Sequence, residues 1–307
     1  MAKHALSIAR SVDAGHRRHR WGRRLIPIGY IAPSVFVLAL VSLYPFVNGL
    51  YLSLTNSSLL GSGSFVGLDS FRIVLTSPDF GDAVVFTMLF AFCAVAGSYT
   101  IGLLLALLLS TEVWGRGFFR AALLIPWVIP PIVSIVSWRW MLDQSGLINT
   151  ALTALGFQPI YFLSTETWAK VSVIVVKIWV SFPFMLVTLL AALQAISQDL
   201  YEAAALDGCG RWTAFRYITA PHLTMVTLIS WILMTIYSVN DFTTLWLLTQ
   251  GGPVNATQSL IVLAFKYAFQ VGNVGLGAAV SVIAMLGMLV LGIALLRLMP
   301  AHEEATL

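Results

Sequence analysis

Two charged residues, Lys177 and Asp241, lie deep inside long apolar runs of this 307-residue sequence. An isolated charge is costly in hydrocarbon, so side chains at such positions face a polar cavity and pair with each other or with a ligand. The chemistry that these residues could perform is therefore recognition of a polar solute, or movement of charge, within a membrane. A structural ion pair without a ligand is the alternative that the sequence leaves open.

Aromatic and hydrogen-bonding residues lie close to the two charges along the same apolar runs. Together they suit a sugar ring, which has an apolar face and many hydroxyl groups. Several prolines at this level free backbone groups, which must then face protein or water. The residues concerned are Trp127, Trp179, Ser181, Phe184, Tyr237, Ser238 and Asn240, with Pro126, Pro130, Pro131 and Pro183. For each aromatic residue taken singly, helix packing explains its position at least as well.

A polar stretch at residues 201–223 interrupts the apolar sequence and has the features of a short surface helix. Asp199 has the character of an N-cap, and Glu202 stands three residues later, as in a capping box. Gly208 permits a turn, and Pro221 fits the first turn of the following membrane span. Small alanines and a free carboxylate give this stretch the form of a docking element, although an ordinary connecting loop has the same features.

The elements that position these residues are six apolar runs, each long enough to cross a bilayer as a helix. Hydrophobic residues make up 59% of the sequence and charged residues 10%, far from the composition of a soluble domain. No run alternates as the strands of a membrane barrel do, so helices are predicted. The predicted spans are 28–54, 83–110, 118–142, 168–195, 223–248 and 275–299. The expected fold is an all-α polytopic membrane protein.

Basic residues predict the orientation of the spans. Twelve of the 17 Lys and Arg residues fall in segments that are cytoplasmic if the N-terminus is inside, against Arg72 and Lys266 in outer loops. This bias predicts an N-in, C-in topology, with a transmembrane domain at 25–300 between a basic cytoplasmic tail at 1–24 and a cytoplasmic tail at 301–307. The loop at 197–222 is then cytoplasmic. Because the basic excess flanks the first span, it predicts contact with lipid and not with nucleic acid.

The sequence lacks the motifs of an enzyme or a metal protein. Cys93 and Cys209 cannot form a disulfide framework or a metal cluster, and the five histidines lack metal-binding spacing. No nucleophile and base pair supports a membrane-embedded enzyme. The phosphate-binding pattern G-x-x-x-x-G-K-[ST] does not occur, so any ATP hydrolysis would come from another subunit. We therefore expect a non-catalytic chain that binds no cofactor and no metal.

The loop also resembles the EAA loop of permease subunits of binding-protein-dependent ABC importers. That pattern is Glu-Ala-Ala, three residues, Gly, nine residues, Ile, one residue and Leu-Pro. Six of its seven positions match here, at Glu202, Ala203, Ala204, Gly208, Ile218 and Pro221, while Ala220 replaces the leucine. Flanking stretches at 124–130, 179–184 and 240–253 resemble the carbohydrate branch of the family, typified by maltose and glycerol-phosphate permeases. The resemblance spans about residues 28–299.

The resemblance implies a six-helix type I permease fold in the bacterial plasma (inner) membrane and a set of partners. These partners are a homologous second permease, a dimer of cytoplasmic ABC ATPases that uses ATP and Mg, and an extracytoplasmic sugar-binding protein or lipoprotein. The short outer loops agree with capture of the solute by a separate protein. The cargo that the resemblance implies is a sugar, with a disaccharide such as trehalose as the expected example.

The resemblance also assigns roles to individual residues. Sugar-contacting positions of maltose-type permeases correspond to Trp127, Pro131, Lys177, Val180, Ser181, Phe184, Met234, Ser238 and Asp241, to which the chemistry of the sequence adds Asn240. ATPase coupling is assigned to Glu202, Ala203, Ala204, Asp207, Gly208, Arg211, Ile218 and Pro221. Lys177, Ser238 and Asp241 replace amides of the resembled site, and Pro131 and Met234 replace serines. A different sugar or a different pose is therefore expected.

A gradient-driven secondary transporter or channel is the alternative function. It would use Lys177 and Asp241 for ion or proton coupling, and it would work without an ATPase partner.

Overall fold

A computed structural model describes residues 30–61, 63–111 and 114–297 of the chain. The predicted tails at 1–24 and 301–307 lie outside these residues. Helix α1, Tyr30–Ser53, lies in a first unit except for its last residue, because that unit ends at Leu52 and the second unit begins at Ser53. Most side chains of α1 are exposed and apolar, which suits a helix surrounded by lipid or by other membrane helices. The helix agrees with the first predicted span.

The second unit is built from helices joined by turns and loops. Among its described residues, β structure is limited to isolated bridges. Counting α1, five helices among the described residues are long and apolar enough to cross a membrane, or six if one bent pair is a single span. This confirms the predicted all-α membrane fold. In chain order the helices are α2 Asp69–Thr76, α3 Pro78–Ser110, α4 Arg116–Leu123, α5 Ile125–Val128, α6 Pro131–Met141, α7 Leu147–Ala154, α8 Glu166–Gln194, α9 Gln198–Leu206, α10 Arg211–Ala214, α11 Ala220–Val239, α12 Phe242–Thr249, α13 Leu260–Phe265 and α14 Val274–Leu296.

The core of this unit is the packing of α3 against α8. Met185 and Leu189 are fully buried there, and Leu186 is nearly so. Gly102 lets the two helices approach closely, since a Cβ atom built on it would lie 2.6 Å from Met185 Cβ. Small residues at a contact of this kind allow backbones to come together where no hydrophobic force drives membrane helices to associate. The α3–α8 pair thus forms the scaffold for the residues of interest on α8.

The third predicted span, 118–142, is wrong as a single straight helix. The stretch Arg116–Val128 and helix α6 are bent by 92° relative to each other. Ile129 and Pro130 are both extended, with ψ values of 133° and 131°. The cause is the pair Pro130 and Pro131, because a residue before proline is pushed out of the helical region and proline donates no backbone hydrogen bond.

The fifth predicted span, 223–248, has different boundaries in the structure. A continuous helix, Arg211–Val239, contains α10, a π-helical turn at Phe215–Thr219 and α11. Pro221 is the second residue of α11, as predicted for the first turn of the span, although the π turn continues the helix before it. The helix then stops at Val239, and α12 begins after Asn240 and Asp241. Apolar residues resume directly after Asn240 and Asp241, so the apolar pattern predicted one span across this break.

The predicted outer segments contain more helix than the sequence indicated. A short helix at 147–155 was predicted and is confirmed by α7, which ends before Gly156 with φ +84°. The apolar helix Leu260–Gln270 was not predicted. Its Lys266 Nζ donates to Gln258 Oε1 at 2.7 Å. Burial lowers the pKa of the Lys266 ammonium, and the charge of Asp79 opposes this shift.

The close contact of α3 and α8 predicts that Gly102→Val is destabilising. A larger side chain must push Met185 and the backbone of Leu186 aside, and overpacking of this kind costs about 1–3 kcal/mol. The midpoint of thermal unfolding of the purified protein, measured by size-exclusion chromatography after heating, should fall. Gly81→Val is the matched control, because Gly81 is in the same helix and has no atom within 4 Å of its added Cβ. Equal midpoints for the two variants would contradict the packing.

Candidate functional site

The two membrane-embedded charges meet in the structure. Lys177 Nζ, on α8, lies 2.8 Å from Asp241 Oδ2, and each side chain is 9% exposed. The sequence predicted that the pair would contact each other or a ligand, and the direct contact is what the structure contains. A buried pair of this geometry compensates each charge for its lost hydration. It also ties α8 to the chain break between α11 and α12.

The sequence placed Asp241 within the fifth span. In the structure it lies after that helix ends and caps helix α12. Its Oδ1 accepts a hydrogen bond from the Thr244 backbone N–H at 3.0 Å, and its Oδ2 accepts one from Thr244 Oγ1 at 2.7 Å. An aspartate at this position satisfies a free N–H and places negative charge at the positive end of the helix dipole. Thr244 is a site residue that the sequence reasoning missed, although the spacing Asp-x-x-Thr is a recognisable capping signal.

Hydrogen-bonding capacity remains unused beside the ion pair. In the described part of the chain, the Lys177 ammonium pairs only with Asp241, although it has three N–H donors. Ser238, 1% exposed, has no hydrogen-bond partner for its Oγ among the described residues. Its carbonyl accepts from the Asp241 backbone N–H at 3.2 Å, so the free hydroxyl belongs to the turn that presents Asp241. Such groups can bind the hydroxyls of a solute.

Two aromatic residues of the predicted site, Trp127 and Phe184, are in contact. The rings of Trp127 and Phe184 are 6.5 Å apart in an edge-to-face arrangement. Lys177, Ser181 and Phe184 are spaced by four and seven residues, so they share one face of α8. The bend before α6 exposes Pro131 and leaves Trp127 56% exposed on the other side of this contact. The α8 face and the broken third span therefore form two adjacent walls.

Other predicted contact residues have partners or positions away from the ion pair. Met234 is buried in the α3–α8 core cluster, and Val180 is partly buried. Asn240 turns towards α14, where its Nδ2 donates to Met288 Sδ at 3.1 Å. Two further aromatic candidates are apart from the ion pair: Trp179 packs on Trp138, and Tyr237 is 64% exposed. The ion pair, Ser238 and the Trp127–Phe184 contact are thus the geometric centre of the candidate site.

The second candidate site is the loop at 197–222, which contains helix α9. The predicted N-cap, Asp199, is wrong: Ser197 is the cap, and its Oγ accepts from the Asp199 backbone N–H at 3.3 Å. Serine fits the cap because its short side chain reaches that N–H, while Asp199 adds favourable charge in the first turn. Gly208 ends the helix with φ +81°, as its position predicted.

The surface of this loop combines charge with exposed apolar groups. Glu202, Asp207 and Arg211 are exposed. A hydrogen bond of 2.9 Å between Tyr201 Oη and Thr219 Oγ1 joins α9 to the π turn. Large apolar side chains, which the sequence reasoning did not select, are also exposed: Leu206 by 91%, Trp212 by 73% and Tyr217 by 70%. Exposed apolar groups beside charges are typical of an interaction surface.

Among the described residues, no three His, Cys, Asp or Glu side chains lie close enough together to hold a metal ion.

Known proteins of similar sequence are membrane components of transport systems. Residues 98–304 match the family of binding-protein-dependent transport system inner membrane components. A probable ABC transporter permease of Sinorhizobium fredii is 38% identical over 283 residues, covering 90% of this chain and 91% of the relative. The trehalose/maltose transport system permease protein MalF of Thermococcus litoralis is 37% identical over 260 residues, covering 83% of this chain and 88% of the relative.

A solved structure also shares the fold. It is the crystal structure of a bacterial ABC transporter involved in the import of the acidic polysaccharide alginate. Its matching chain has a TM-score of 0.78 and 21% identity, with 90% of this chain and 95% of that chain covered. At this identity the likeness shows a common fold.

The buried pair predicts a specific pattern of stabilities. Asp241→Asn keeps an acceptor for the α12 cap but leaves the Lys177 charge unpaired, and breaking a buried pair in this way costs about 3–5 kcal/mol. The double variant Lys177→Met/Asp241→Asn removes the unpaired charge, so most of the lost stability should return. Thermal unfolding of the purified complex measures both effects. Losses that simply add in the double variant would show that the two side chains are not coupled.

Proposed function

Because the chain belongs to the family of binding-protein-dependent transport system inner membrane components, we propose that it is the permease of an ATP-driven sugar importer. It is a multi-pass protein of the inner membrane and a membrane translocation component. The observation that carries the proposal is the Lys177–Asp241 pair, buried between membrane helices beside the unpartnered Ser238 hydroxyl. Intramembrane charges and free hydrogen-bonding groups of this kind mark solute pathways.

The proposed cargo is a sugar, with a disaccharide such as trehalose as its first candidate. Trp127 and Phe184 offer aromatic surface, while Lys177, Ser238 and Ser181 offer hydrogen-bonding groups. A ring with one apolar face and several hydroxyls fits both kinds of surface. The 37% identical Thermococcus litoralis relative, named for trehalose and maltose, supports this choice. Trp127, Pro131, Val180, Met234 and Asn240 complete the set of proposed contacts.

The proposed docking site for the ATPase is the loop at 197–222. Its exposed Glu202 and Arg211, with the apolar Leu206 and Trp212, form a surface on which a cytoplasmic ATPase would dock. The match to the EAA pattern supports this role for the whole set of Glu202, Ala203, Ala204, Asp207, Gly208, Arg211, Ile218 and Pro221. The ATPases would hydrolyse ATP with Mg, since this sequence has no phosphate-binding loop.

The other proposed partners follow from the same family. A homologous second permease would supply the other half of the path, and a sugar-binding protein or lipoprotein would deliver the cargo at the outer face. The family description supports the binding protein directly. In this scheme ATP-driven movement of the loop rocks the spans around the Lys177–Asp241 site and alternates access to it.

The docking role predicts that Glu202→Lys abolishes sugar uptake by the reconstituted complex. The substitution reverses the charge of an exposed α9 side chain and should weaken pairing with the ATPase. Membrane insertion, checked by extraction and size-exclusion chromatography, should be unchanged. Wild-type uptake by this variant would exclude Glu202 from coupling.

The turn after α9 gives a second test with a matched control. Gly208→Leu forces a side chain into a left-handed conformation, which costs about 1–2 kcal/mol and should displace α9. Gly210→Leu adds the same side chain two residues later, where φ is −73° and the added Cβ meets nothing within 4 Å. Uptake and ATPase co-purification should fall only for Gly208→Leu. Equal behaviour of both variants would contradict the role of this turn.

The sugar site predicts that Asp241→Ala lowers uptake of the cognate sugar about tenfold or more, the loss of one charge-assisted interaction. Because this variant also loses the Lys177 partner and the α12 cap, uptake is expressed per assembled complex, and assembly is measured by co-purification with the ATPase. The cognate sugar is found by measuring ATPase stimulation with binding protein loaded from a panel of mono- and disaccharides. Asp69→Ala, in the outer helix α2, is the control and should leave uptake unchanged. Normal stimulation in Asp241→Ala would remove this carboxylate from the site.

A further inference from the structure

A groove lies next to the Trp127–Phe184 contact, towards the predicted cytoplasmic side. It contains a cavity of about 190 Å³ between Arg116–Val128 and the last turns of α8. Arg120 and Leu124 line one wall, and Leu186, Val187, Ala191 and Gln194 line the other. The resemblance to known permeases assigned no role to any of these residues. The groove therefore needs its own explanation.

Helix periodicity connects this groove to the ion pair. Lys177, Phe184 and Ala191 are spaced seven residues apart on α8, which is close to two helical turns, so they share one face. The opposite wall follows the same rule, since Arg120, Leu124 and Trp127 are three or four residues apart. The groove is thus a continuation of the walls that hold Lys177 and the aromatic contact.

The far end of the groove is rich in hydrogen-bond donors. With the Gln194 amide oxygen turned towards the arginines, it accepts from Arg120 Nη2 at 2.7 Å and from Arg116 Nη2 at 3.2 Å. The Nε atoms of both arginines are buried without a partner, and neither guanidinium pairs with a carboxylate in the described residues. A guanidinium has five N–H donors, so most of this capacity is free. Oxygen-rich groups are its natural ligands.

We propose that this groove is the cytoplasmic exit segment of the solute path. The Trp127–Phe184 contact separates it from the Lys177–Asp241 site, and its apolar walls lead to a mouth where Arg116, Arg120 and Gln194 receive the hydroxyls of the departing solute. This inference rests on the proposed import function and extends it to the release step. The occupant is the same neutral, hydroxyl-rich solute that binds at the ion pair.

Cysteine accessibility tests the proposal. The reconstituted complex carries Cys93→Ala and Cys209→Ala in this chain, no other accessible thiols, and either Val187→Cys or Val290→Cys. Val187 lies in the groove, whereas Val290 is an exposed valine on α14 away from it. A charged, membrane-impermeant thiol reagent is added from the ATPase side, both without nucleotide and with ATP trapped.

The proposal predicts that Val187→Cys is labelled in at least one of the two states and that Val290→Cys resists the reagent in both. Trehalose added on the ATPase side should slow labelling of Val187→Cys. If Val187→Cys resists the charged reagent in both states, the groove faces lipid or a protein contact and the proposal is wrong. Labelling at an unchanged rate with saturating trehalose would equally overturn it, because the solute would not occupy the groove.

The arginine at the mouth is tested in the Val187→Cys background. Arg120→Met should raise the trehalose concentration needed for half-protection about tenfold, the effect of losing one charge-assisted hydrogen bond. Labelling without trehalose should be unchanged, which shows that the groove is intact. Arg72→Met, in the outer helix α2, is the control and should leave half-protection as it was. Equal half-protection in all three proteins would exclude Arg120 from solute binding.

These results are separable from the import function itself. Failure of the proposed function would appear as no ATP-dependent sugar uptake by the parent complex. The labelling contrast between Val187→Cys and Val290→Cys does not depend on transport. A complex that imports trehalose but gives no protection of Val187→Cys would overturn the exit segment alone.

Discussion

The structure depends on how two opposite charges are accommodated between membrane helices. Lys177 Nζ and Asp241 Oδ2 lie 2.8 Å apart, and the carboxylate accepts two further hydrogen bonds from Thr244. That arrangement requires the helix to stop at Val239, since only a chain break can direct Asp241 both to α8 and to the start of α12. A second chain break lies before α6, in the wall that faces α8, where Pro130 and Pro131 interrupt the helix. Irregular backbone at membrane depth is tolerated where it lines protein or a cavity.

The ion pair and the cytoplasmic loop are connected by the same two helices. Helix α8 runs from the level of Lys177 to Gln194, three residues before the cap of α9, and the helix Arg211–Val239 returns from the loop to Ser238. Lys177 and Gln194 are separated by about 25 Å along the axis at 1.5 Å per residue. A movement of the loop would therefore reach the ion pair through rigid elements. The Arg116, Arg120 and Gln194 cluster lies at the C-terminal end of α8 and would couple the broken third span to the same movement.

Much of this fold could be predicted from the sequence, but its breaks could not. Spans such as α3 and α8 are clear because predominantly apolar sequence with few charged residues extends over more than 25 positions in each. The helix end at Gly208 was also predictable, because few other residues adopt its positive φ. The break at Asn240 was not, since apolar residues flank it on both sides and hydropathy does not record a change of direction. Ser197 and Asp199 are both acceptable caps, and only the geometry of α9 decides between them. The groove below Trp127 depends on how two distant segments pack, which no local pattern encodes.

In the proposed function, ATP hydrolysis by a partner, and not an ion gradient, drives solute movement past the Lys177–Asp241 pair. The most direct test is uptake of radiolabelled trehalose by proteoliposomes that contain the complete complex, with binding protein outside and ATP inside. Ionophores that collapse proton and sodium gradients are added to half of the samples. We predict uptake that requires ATP and is unchanged by the ionophores. Uptake that needs no ATP and stops when the gradients collapse would contradict the account and favour a gradient-driven transporter.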